Sequence, residues 1–140
     1  MKHLACSILL LVALCAWASP AAAKTRGALK TVYAFGYGTC FNDTTVYLLP
    51  IQVIEGAELQ EKTDFLVYRN GYSHQLEDYL EEHYGGNQTC TVFFAEKKSR
   101  LEKKYLKIRH DLAKDAHTRA VELPTGSFEF DTVEAALYCY

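Results

Sequence analysis

Between residues 31 and 40 apolar residues fill both sides of an extended segment. Tyr33, Phe35 and Tyr37 fall on one side, Val32 and Ala34 on the other, a period of two that predicts a strand. Gly36 and Gly38 interrupt it and point to a bulge or bend. Asn42-Asp43 marks a turn. Residues 44–53 are a second apolar, β-branched run, so the two read as a hairpin. Pro50 has no N–H for a ladder, which puts this strand at an edge or bulges it there. Residues 55–63 read as polar and irregular, and 64–69 as a short third strand closed by Asn70-Gly71. Ser73 fits the N-cap of a helix. Leu76, Tyr79, Leu80, His83 and Tyr84 share one face of that helix; Glu77, Asp78, Glu81 and Glu82 share the other. Gly85-Gly86 stops it. Thr89 to Ala95 is a nearly continuous β-type run, expected as the central strand. Ser99 and Glu102 have capping-box spacing, and Leu101, Tyr105, Ile108 and Leu112 form the stripe of a second helix running to about residue 116. After the turn Pro124-Thr125-Gly126, Phe128 and Phe130 alternate with Glu129 and predict a last strand. The order β-β-(β)-α-β-α-β predicts a single small α+β domain. Its mixed or antiparallel sheet would have four to five strands, with two amphipathic helices packed on one face.

The first residues stand apart from this pattern. Lys2 and His3 precede a largely apolar stretch from Leu4 to Trp17, and Ala21 and Ala23 form a small-x-small cleavage site. Residues 1–23 therefore read as a secretory signal peptide. The apolar run is shorter than the roughly 20 residues that span a bilayer. Lipidation at Cys15 would want a small residue before it, where Leu14 stands. Residues 24–30 are expected as a flexible stub and 31–140 as the domain, secreted or periplasmic after cleavage, with no integral membrane span.

Composition adds less. Fifteen basic and 17 acidic residues give a net charge of −2, with 49% apolar and 23% charged residues. That balance excludes a disordered chain and a general nucleic-acid-coating protein. Removing the leader takes one base, Lys2, and leaves 14 bases against 17 acids, a net of −3. Met1 and Trp17 leave with it, so the core must be built from Tyr, Phe, Leu, Val and Ile.

Charge becomes informative when it is divided by segment. Residues 55–82 hold eight acids and two bases, a local net of −6; residues 97–114 hold eight bases and two acids, a local net of +6. Arg100, Lys103, Lys107, His110 and Lys114 fall opposite the apolar stripe of the second helix. Such a row can hold phosphates, anionic glycans or an acidic partner. It can also be a solvated face, or lie beside the acidic helix and neutralise it.

Other candidate chemistry is sparse. Of Cys40, Cys90 and Cys139, the pair Cys40–Cys90 is favoured for a disulfide. Such a bridge would close a loop of about 50 residues, stabilising by roughly 4 kcal/mol. Cys139 is then left as a free thiol, an intermolecular bridge that would give a dimer, or the true partner of one of the others. His74 and His83 sit on opposite sides of one helix, and His110 and His117 are about 10 Å apart along the other. Neither pair suits one zinc ion, and no metal or cofactor is expected. The carboxylates Glu77/Glu81 and Asp78/Glu82 read as a wet helix face. Asn42-Asp43-Thr44 and Asn87-Gln88-Thr89 are glycosylation sequons, meaningful in a eukaryotic secretory pathway.

Thr31-Val32-Tyr33, Val46-Tyr47-Leu48 and Arg69 resemble parts of a GIY-YIG nuclease domain. Thr91 to Glu96 before a basic helix is similar to that domain's third strand and following helix. The glycines that name the motif are absent, and Leu49-Pro50 stands where the second motif would continue. That resemblance implies a small hydrolase with Tyr33, Tyr47, Arg69 and Glu96 in its site. In general character the chain also resembles small exported bacterial proteins of unassigned function. The leading expectation is a non-catalytic binding or interaction protein of the cell envelope or extracellular space. Its binding residues would be Arg100, Lys103, Lys107 and Lys114, toward a protein or an anionic ligand. The rivals are the hydrolase and a surface component linked through Cys139.

Overall fold

The computed structural model describes residues 27–134. The leader assignment and Cys139 lie outside them. Seven elements follow in order: β1 (Ala28–Cys40), β2 (Thr45–Leu48), β3 (Gln52–Leu59), α1 (Arg69–Tyr84), β4 (Gln88–Ala95), α2 (Lys98–Lys114) and β5 (Arg119–Glu122). The α+β class and the two helices are as the sequence predicts; the five strands agree in number with the four to five expected, but not all in place.

The long strand β1 is the spine. One edge pairs antiparallel with β4, from Tyr33↔Ala95 to Cys40↔Gln88. The other edge is shared: β3 pairs with residues 28–34 and β2 with residues 37–39. Between them Leu49, Pro50 and Ile51 face only Phe35 and Gly36. The surplus residue splits the expected single run at Pro50, where a ladder N–H is missing. β5 adds in parallel to β2, which makes the sheet mixed. The central strand is thus β1, and β4, expected at the centre, lies at an edge. Its side chains are shielded by the helices above and below rather than by a strand on each side. Residues 28–30, expected as stub, pair with Ala57, Glu58 and Leu59.

The expectation that both helices share one face is overturned. Alternate β1 residues point to opposite sides, and each side has its own helix. Val32 and Ala34 belong to a core with Tyr72, Leu76 and Leu80 of α1. Gly36 and Gly38 leave room for that helix: a Cβ on Gly36 would stand 2.6 Å from Leu76 Cδ2, and one on Gly38 would collide with Leu80 Cδ1. Phe35 belongs to a second core with Leu48 and Leu101, against which Tyr33, Tyr37, Phe93, Tyr105 and Ile108 pack. Phe35 meets Tyr105 of α2 edge-on at 5.2 Å and Phe93 at 5.1 Å.

Other departures have local causes. Gly56, at φ 70, sits in a bulge where Lys30↔Ala57 gives way to Val32↔Ile54. The bulge breaks the alternation of β3, so residues 55–59 look irregular in sequence. The third strand expected at 64–69 shrinks to one bridge, Leu59↔Leu66. α1 begins at Arg69, capped by Tyr68 in a left-handed conformation with no side-chain cap, and Asn70, Gly71 and Ser73 lie inside it. α2 begins at Lys98, so Ser99 is inside the helix and makes no capping bond. β5 covers 119–122, and the segment with Phe128 and Phe130 is no ladder strand. Two glutamine side chains hold it instead. Gln52 donates to Phe128 O and accepts from Phe130 N; Gln75 donates to Asp131 O and accepts from Asp131 N. Val133 N then donates to the hydroxyl of the fully buried Tyr72.

Candidate functional site: the outer face of α2

Helix α2 touches the sheet through one narrow stripe. Leu101 is buried, Tyr105, Ile108 and Leu112 are half-buried, and almost everything else on the helix is exposed. The basic side chains divide into two sets. Lys98 pairs with Glu102 at 3.7 Å, and Arg109 with Glu122 of β5 at 2.5 Å. Lys104 Nζ sits 4.0 Å over the Phe93 ring, a cation–π contact that fastens the helix flank to β4. Arg100, Lys103, Lys107 and Lys114 are exposed and have no acidic side chain in ion-pair range among the described residues. With His110 they form one row about 21 Å long at 1.5 Å per residue. Leu106, 57% exposed, lies beside that row. All four residues expected to bind are therefore brought onto one surface.

The acidic row lies on the other side of the molecule. Asp78, Glu81 and Glu82 of α1 are exposed, and Glu77 is engaged by His74 at 3.2 Å. Because α1 and α2 cover opposite faces of β1, the two helices do not lie side by side. Mutual neutralisation within one molecule, one of the sequence expectations, is excluded by that placement.

The residues singled out by the nuclease resemblance do not converge. Tyr33 packs on the α2 face, whereas Tyr47 packs on the α1 face with its ring 4.5 Å from Tyr84. Arg69 Nε donates to Val92 O at 3.1 Å, and Glu96 is held by Lys30 at 2.6 Å. No common pocket encloses the four. A groove of about 330 Å³ runs elsewhere, between Pro50–Val53 and Thr125–Phe130, with Glu129 as the single ionisable side chain lining it. Among the described residues no group of three or more His, Cys, Asp or Glu could hold a metal ion. No helix among them is long and apolar enough to cross a membrane.

Cys40 and Cys90 carry free thiols, so the expected bridge is not formed. Cys40 faces Gln88 and Cys90 faces Gly38, which makes them diagonal neighbours. Diagonal positions lie about 7–8 Å apart, beyond the usual Cα span of about 4.4–6.8 Å for a disulfide. Burial, and then the carboxylates of Glu77 and Glu81, push the Cys90 thiol from its ordinary 9.0 up to about 12. A thiol raised in the folded state stabilises fully below its unfolded value, and that contribution fades as pH climbs from about 9 toward 12. Burial raises the hydroxyls of Tyr72 and Tyr105 in the same sense. Urea unfolding at rising pH is therefore expected to show a falling midpoint above pH 9, with a smaller fall in Cys90→Ala. An equal fall in both proteins would show that Cys90 is not the group responsible. The sequons' Asn42, in a turn, and Asn87, in the connection from α1 to β4, are both exposed at the end of the sheet where Cys40 pairs with Gln88. No sequence pattern singles out Gln88 itself. It is buried, its Nε2 donates to Gly85 O, and its Oε1 has no partner among the described residues.

No protein-family model matches the chain, and no curated protein or solved structure is significantly similar to it.

Proposed function

We propose that this is an exported, non-catalytic binding protein that engages an anionic partner with the outer face of α2. One observation carries the reading: Arg100, Lys103, Lys107 and Lys114 stand in a single exposed row with no acidic partner among the described residues. Like charges in a row repel one another, so such a face gains when a polyanion arrives. The export half of the proposal rests on the leader pattern of residues 1–23.

The test uses heparin as the polyanion probe. Arg100→Gln, Lys103→Gln and Lys107→Gln together are expected to weaken heparin binding at least tenfold, about 1.4 kcal/mol. The melting temperature should stay nearly unchanged, because the three side chains are exposed and unpaired. Unchanged binding would remove the proposal. A melting temperature lowered by several degrees would show that the row is structural.

A further inference from the structure

We propose that the anionic partner of α2 is the acidic α1 face of a second copy of this chain, so that copies associate head to tail. The inference rests on the reading of α2 as an anion-binding face and names its partner. Three observations carry it. The rows are opposite in sign: α2 presents Arg100, Lys103, Lys107 and Lys114, and α1 presents Glu77, Asp78, Glu81 and Glu82. They lie on helices that cover opposite faces of β1. Neither is neutralised within the molecule: Arg100, Lys103, Lys107 and Lys114 lack acidic partners among the described residues, and so do Asp78 and Glu82 lack basic ones.

For a molecule that is basic on one side and acidic on the other, electrostatics favours the encounter of two copies that places unlike faces together. That contact is heterologous. After pairing, the two copies together keep one free face of each sign, so the association repeats as an open chain or closes as a ring. Lys103 and Lys107 are one turn apart, as are Asp78 and Glu82, so two crossing helices can oppose these four side chains over a short contact. Pairs of this exposed kind are weak and salt-sensitive. The association is accordingly a low-salt, high-concentration event rather than a permanent oligomer.

Sedimentation velocity of the full chain tests it, with heparin binding measured on the same samples. At about 20 mM salt the apparent mass should rise with protein concentration. At about 1 M salt, where screening acts within roughly 3 Å, the protein should run as a monomer. Lys103→Glu/Lys107→Glu and Asp78→Lys/Glu82→Lys should each stay monomeric at low salt, and an equimolar mixture of the two should associate again. Where a reversal unfolds the chain, Lys103→Gln/Lys107→Gln and Asp78→Asn/Glu82→Gln read the same contact as at least a tenfold loss of self-association. A monomeric wild type at low salt that still binds heparin through α2 overturns the second-copy proposal and leaves the binding function standing. A wild type that neither self-associates nor binds heparin overturns both. Failure of the two folded reversal variants to associate on mixing also overturns the second-copy contact.

Discussion

Phe35→Ala is expected to destabilise the protein by about 3–5 kcal/mol and to loosen α2 before α1. Phe35 is fully buried at the centre of a core whose other buried members are only Leu48 and Leu101. Its ring supports both Phe93 of β4 and Tyr105 of α2. The buried side of α2 packs into this same cluster, and no buried residue of α2 besides Leu101 can compensate. Removing the ring leaves a cavity that a stiff strand on one side and a helix on the other cannot readily close. Hydrogen exchange should then show residues 101–112 losing protection ahead of residues 72–80, with urea unfolding giving the magnitude. A loss below about 1 kcal/mol, or equal loosening of both helices, would contradict the two-core description.

Leu76→Ala is expected to cost about 3–4 kcal/mol, in the middle of the range for buried leucines. Leu76 is fully buried and lies directly over Gly36, which has no side chain to fall into the vacated space. The same geometry predicts a coupling. Gly36→Ala alone puts a methyl 2.6 Å from Leu76 Cδ2 and overpacks the interface, at a cost of about 1–3 kcal/mol. In the double variant that methyl enters the space that Leu76 has left. The double variant should therefore be more stable than the sum of the single effects allows, by about 1 kcal/mol or more. Strict additivity would show that α1 is not seated on these glycines.

These two cores also show what was legible in the sequence. The alternation in β1 was plain, and so were the stripes of both helices. Val32 and Ala34 on one side and Tyr33, Phe35 and Tyr37 on the other already describe a strand that needs cover on both faces. Taking Gly36 and Gly38 as a bend hid their use as a seat for α1. β3 was obscured by a physical device, the bulge at Gly56, which shifts the apolar phase partway along the strand. The 128–133 segment looked like a strand because its aromatics alternate, yet its backbone is paired by Gln52 and Gln75 side chains. No spacing rule reports that kind of partner. The diagonal offset of Cys40 and Cys90 depends on the β1–β4 register, which local pattern does not determine.

The candidate site was legible in part for similar reasons. Helical spacing alone puts Arg100, Lys103, Lys107 and Lys114 on one face. Which cations are already satisfied depends on tertiary packing. Arg109 finds Glu122 only because β5 returns beside α2, and Lys104 finds Phe93 only because β4 lies beneath. The placement of the acidic row on the far side follows from sheet topology and not from the helix patterns themselves. The dispersal of Tyr33, Tyr47, Arg69 and Glu96 follows from the two-sided packing in the same way.

Whether the outer face of α2 is the binding surface is decided most directly by titrating the isotopically labelled protein with a short heparin fragment and following amide chemical shifts. Binding at α2 predicts shifts concentrated at Arg100, Lys103, Lys107, His110 and Lys114, fading as salt is raised. Shifts centred instead on α1 or on the groove beside Pro50, or none at any salt concentration, would contradict it.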